Sequence, residues 1–63
     1  MVDLGEIRAC MSRCRDKQKD IATILGLSEN SVNSKINGKR DFTVQELSIL
    51  AKHYNVDINL FIK

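Results

Sequence analysis

The sequence has no proline and no tryptophan, and only three glycines among its 63 residues. Small β-sandwiches and barrels depend on frequent Gly and Pro turns. Their scarcity here, with one Tyr and two Phe, points to helices. No apolar run is long enough to span a membrane. Met1–Glu6 lacks the basic-then-apolar pattern of a signal peptide, so the chain is expected in the cytoplasm. Two cysteines, Cys10 and Cys14, are too few for a disulfide framework. With one distant histidine, His53, they also fall short of a structural zinc set, and both read as small buried apolar residues. No Ser/His/Asp or Cys/His arrangement and no Gly-rich phosphate loop is present. No enzyme, cofactor, metal or small-molecule substrate is therefore expected.

What is present is ordinary for a globular domain: 43% hydrophobic and 29% charged residues. The length predicts one domain over residues 1–63, burying only about 60% of the surface its unfolded chain exposes. Net charge is +2, but the charge is unevenly placed. Arg8, Arg13, Arg15, Lys17 and Lys19 face a single acid, Asp16, in the same stretch. Lys35, Lys39 and Arg40 form a second basic group. A locally positive face on a nearly neutral molecule suits a polyanionic partner.

About five short helices are expected, in an all-α compact bundle. Leu4, Ile7, Met11 and Cys14 give the first an apolar face. Its end is unmarked: local signals allow one helix over residues 4–25, or a break with Asp16 capping a second helix from about Lys17. Ile21, Ala22, Ile24 and Leu25 line that second helix, and Gly26 ends it. Ser28 caps a third helix with Val32 and Ile36 inside, stopped by Asn37-Gly38. Thr43 and Glu46 form a capping box for a fourth, which is expected to bury Val44, Leu47, Leu50, Ala51 and Tyr54. Asp57 caps a last short helix with Ile58, Phe61 and Ile62 facing in.

With Val32 placed inward at 100° per residue, Asn30, Ser34 and Asn37 point outward, Ser31 lies at the flank, and Glu29 and Asn33 fall between. This outer face is short and rich in amides and hydroxyls. Long cations suit phosphates; short amides and hydroxyls suit base edges, with Asn able to pair bidentately with adenine.

The stretch from Gln18 to Val32, with Ala22, Gly26 and Ser28 at their characteristic places, resembles the helix-turn-helix of the phage Cro/repressor (Xre-like) family. Asn37-Gly38-Lys39 matches the end of that family's recognition helix. Phe42–Leu47 and Ile58–Phe61 are similar to small regulators of Gram-positive phages and mobile elements. The resemblance implies a lambda-repressor-like domain whose second and third helices form the helix-turn-helix. It implies base contacts from Glu29, Asn30 and Ser34, with Ser31 and Asn33 as secondary candidates. Lys17, Gln18 and Lys19 before the helix, and Asn37, Lys39 and Arg40 after it, would hold phosphates, with a base at the edge of the site as the alternative for Gln18. Glu29 either accepts from a cytosine amino group or only favours the helix dipole. Ile36 departs from the family pattern, where a Glu pairs with a first-helix Arg; Met11 stands at the matching first-helix position and is expected to pack on Ile36. Lys35 departs as well, and its stem is expected along the surface with its ammonium reaching phosphate or the helix C-terminus.

The implied activity is that of a Cro-like transcription regulator, a weak homodimer on a near-palindromic double-stranded operator. Ile49, Val56 and Leu60, apolar residues off the inward stripes, are the candidate dimer seam. The ending at Lys63 favours a Cro-type regulator over a full-length repressor. The alternative is an antitoxin or adaptor of the same fold that uses those residues against another protein.

Overall fold

The computed structural model describes all residues, Met1–Lys63. It contains α1 (Leu4–Cys14), α2 (Gln18–Leu25), α3 (Glu29–Ile36), α4 (Val44–Tyr54) and one turn of 3-10 helix over Ile58–Phe61. The fifth expected helix is thus a single tighter turn, opened by Asp57, whose carboxylate accepts from Asn59 N at 2.8 Å. No helix is long and apolar enough to cross a membrane.

Chain chemistry accounts for each boundary. Asp3 caps α1, accepting from Glu6 N at 3.2 Å. Ser28 caps α3 through Ser31 N at 3.2 Å. Thr43 accepts from Glu46 N at 3.0 Å while Glu46 accepts from Thr43 N at 2.9 Å, completing the expected box at α4. The break between α1 and α2 falls where Arg15 takes a left-handed conformation, φ 57°. Asp16 does not cap α2. Lys17 stands at that boundary, its N–H held by the Asp20 carboxylate at 2.8 Å. Asp16 instead reaches α4, accepting from the Tyr54 hydroxyl at 2.8 Å and meeting His53 Nε2 at 3.0 Å.

Ile7, Cys10, Ile21, Val32, Leu50 and Phe61 are fully enclosed at the centre, with Ala22, Ile36, Phe42, Leu47, Ala51 and Tyr54 around them. Three expected core positions are corrected. Cys14 is exposed and Cys10 is the buried thiol, because the inner face of α1 runs through Ile7 and Cys10. Val44 is 74% exposed, since α4 begins beyond the edge of the core. Ile62 is 45% exposed. There the chain extends after the 3-10 turn and pairs antiparallel with Val2, an isolated bridge that ties the two termini. Asp3 N donates to Phe61 O at 2.7 Å and Lys63 N to Met1 O at 2.8 Å in the same tie.

Candidate nucleic-acid interface

The α2–α3 pair is built around a sharp turn. Gly26, at φ 70°, ends α2, and Leu27 N returns to Ala22 O at 2.9 Å. A left-handed residue is needed at this point, and Gly adopts it without a Cβ clash. Ala22 is buried where the helices approach, with Ile21 and Val32 sealed beneath. Behind α3, Lys35 is 6% exposed and ion-pairs with Glu46, with its ammonium 5.9 Å from the centre of the Phe42 ring. This corrects the expected surface course of Lys35. Position 35 faces the start of α4, where the Glu46 carboxylate neutralises the ammonium and withdraws it from the surface. Burial pushes the Glu46 carboxyl up, but the hydrogen bonds from Lys35 and from the Thr43 backbone prevail and hold it below its ordinary value. The third helix, α3, is therefore fixed by an apolar seam on α2 and a polar anchor on α4.

The outward residues divide by what they already bond. Ser31 is engaged with Ser28, whose hydroxyl donates to Ser31 Oγ at 3.1 Å. Asn33 donates from Nδ2 to Gln18 Oε1 at 3.2 Å, and its Oδ1 accepts from Asn37 Nδ2 at 3.1 Å. The side chains of Glu29, Asn30 and Ser34 take no part in the hydrogen bonds of this face. Glu29 and Asn30 are exposed at the first turn of α3, and Ser34 is half-buried a turn on. The three principal base candidates are thus the unengaged ones.

Cations flank this strip. Lys17 and Lys19 are exposed at the start of α2, beside half-buried Gln18. Past α3, Lys39 N and Arg40 N both donate to Ser34 O, at 2.9 and 3.3 Å. The following loop is thereby folded onto the last turn, with both basic side chains exposed beside it. Asn37 is exposed at the helix end, and Gly38 (φ 81°) makes the turn. Sequence reasoning assigned no role at this face to Arg8. From α1 its Nη2 donates to Ile36 O and to Asn37 Oδ1, both at 3.1 Å. Its signal was present only as one member of the basic run. Met11 and Ile36 line one shallow groove between α1 and α3, with Arg8, Ser12, Asp16, Gln18 and Asn37.

Of the candidate seam residues, Val56 is half-buried against the core, Ile49 is half-buried, and Leu60 is 40% exposed. Exposed Val44 and Ile62 add apolar surface that the inward stripes had assigned to the interior.

A helix-turn-helix family profile matches residues 11–61. The chain belongs to this family, the Cro/repressor-type (Xre-like) helix-turn-helix proteins, a class of DNA-binding regulators. No curated protein and no solved structure matches it.

Proposed function

We propose that residues 1–63 form one sequence-specific DNA-binding domain, a Cro-like transcription regulator of the phage type that represses from a near-palindromic operator. It works in the cytoplasm on double-stranded DNA, without cofactor or catalysis. The observation that carries this reading is the outward strip of Glu29, Asn30 and Ser34, unengaged by other side chains and set on a helix whose opposite side is sealed. A major groove about 12 Å wide accepts such a helix as a fixed probe. Lys17, Gln18, Lys19, Asn37, Lys39 and Arg40 lie on both sides of it and would hold the sugar-phosphate backbone.

Size supports a homodimer. The Cα atoms span 25 × 23 × 18 Å, whereas successive half-sites on one face of the duplex lie about 34 Å apart. One copy therefore reads one half-site, and a palindrome requires two. Ile49, Val56 and Leu60 are the proposed seam, and its limited apolar area suits an association that is weak without DNA.

Selection from a pool of random duplexes at about 150 mM salt tests the reading. The expected product is an inverted repeat bound with a steep salt dependence. Recovery of no sequence, together with a flat salt response, would overturn it in favour of an adaptor that acts on protein.

A further inference from the structure

Four side chains form a continuous polar chain across three helices: Arg8 on α1, Asn37 and Asn33 at α3, and Gln18 on α2. Its first member lies outside the residues that the family profile matches. A guanidinium carries donors only. Asn37 must therefore turn Oδ1 to Arg8, at 3.1 Å, which leaves its Nδ2 to donate to Asn33 Oδ1, also at 3.1 Å. Asn33 must then present Nδ2 to Gln18 Oε1, at 3.2 Å. Donation runs one way, from Arg8 to Gln18, and the Gln18 amide nitrogen is left free at the start of α2. Arg8 itself is fixed by a backbone group, because the same Nη2 donates to Ile36 O at 3.1 Å and closes the last turn of α3.

We propose that Arg8 is a positioning residue for DNA reading, setting the sense of an amide chain that engages Asn33 and leaves Gln18 Nε2 to donate to a backbone phosphate. The proposal deepens the DNA-binding reading and rests on it. Asn33, bonded at both ends of its amide, then acts in positioning, and base reading falls to Glu29, Asn30 and Ser34. Docking against a duplex removes water from this exposed strip, and the hydrogen bonds strengthen as the local dielectric falls.

The side-chain amide resonances of the free protein test the chain without DNA. Arg8→Met keeps the stem and removes the donors. The expected result is displacement of the Asn37, Asn33 and Gln18 amides together, although Arg8 is hydrogen-bonded to only the first of the three, while the Asn30 amide stays in place. Displacement confined to Asn37 would overturn the proposal. If Arg8→Met folds poorly, Asn37→Leu cuts the chain one link later. The Gln18 amide, which is linked to Asn37 only through Asn33, should then shift, and a Gln18 amide left in place would overturn the proposal equally. On the duplex recovered by selection, Arg8→Met and Asn33→Ala should each weaken binding about tenfold, the scale of one charge-assisted hydrogen bond. The double variant should lose no more than the weaker-binding single variant, since both cut one chain. Additive losses, or a salt slope reduced by about one phosphate for Arg8→Met, would overturn it. Failure to recover any duplex rejects the DNA-binding reading, and the amide displacements still decide whether the chain exists.

Discussion

At the residue scale, the proposed function gives Asn30 and Lys39 two different kinds of contact. Asn30 is exposed at the first turn of α3 and its side chain makes none of the hydrogen bonds of this face, so its amide is available to a base edge. Asn30→Ala should cost about 1–3 kcal/mol on the selected duplex and little on random DNA, measured by titration of both. Lys39 projects from the loop folded onto Ser34 O, where a phosphate would lie. Lys39→Ala should weaken binding to every sequence and lower the salt slope by about one phosphate. Lys35 is the residue whose place the sequence did not disclose. A lysine at that position reads as a surface stem whose ammonium reaches phosphate or the helix C-terminus, yet its ammonium is held inside by Glu46, a residue eleven positions away that also completes the Thr43 box. Lys35→Ala strips the partner from a largely enclosed carboxylate and should destabilise by about 3 kcal/mol in denaturant titration.

Helix ends decide most at the scale of elements. α1, α2 and α4 all finish with a left-handed residue, at Arg15, Gly26 and Asn55. The following N–H then returns to the last turn in each: Asp16 to Met11 O, Leu27 to Ala22 O, Val56 to Ala51 O. Gly26 announces itself most clearly in sequence, because glycine adopts the conformation most cheaply and Asn comes next. Arg15 was invisible for the same reason, and residues 4–25 read as one helix or two. The break is maintained by Asp16, pinned to α4 through Tyr54 and His53. Opposite changes follow from one strain. Gly26→Ala meets no atom within 4 Å yet must hold φ 70°, and should destabilise by about 1 kcal/mol. Arg15→Gly relieves φ 57° and should stabilise by about the same amount. Melting curves of the pair check both signs.

Two carboxylates link the elements of the whole molecule. Hydrogen bonds from His53 and then Tyr54 hold Asp16 below its ordinary value, against the opposing pull of burial, with the His53 charge adding to the lowering. Glu46 is lowered by Lys35 and Thr43 despite its burial. Tyr54 is pushed well upward by burial and by donation to Asp16, so it remains a donor at any physiological pH. A carboxylate depressed by folding contributes stability that is complete above its unfolded value and is lost as pH falls through the folded one. The melting temperature should therefore decline as pH falls below about 4. Asp16→Asn should flatten part of that decline in a thermal series across pH. The antiparallel tie of Val2 to Ile62 closes the molecule at its ends, a contact between positions so far apart that no local pattern encodes it.

Local chemistry determined the helical class, the turn at Gly26, the caps at Ser28 and Thr43, and the outward strip on α3. Each follows from side chains within a turn or two of one another, where periodicity and hydrogen-bonding preference act directly. The break at Arg15, the inward course of Lys35, the exposure of Val44 and Cys14, and the polar chain from Arg8 to Gln18 were decided by tertiary structure. In each of these the deciding atom comes from another helix or is missing from beyond the core's edge, and only the packed chain supplies that information.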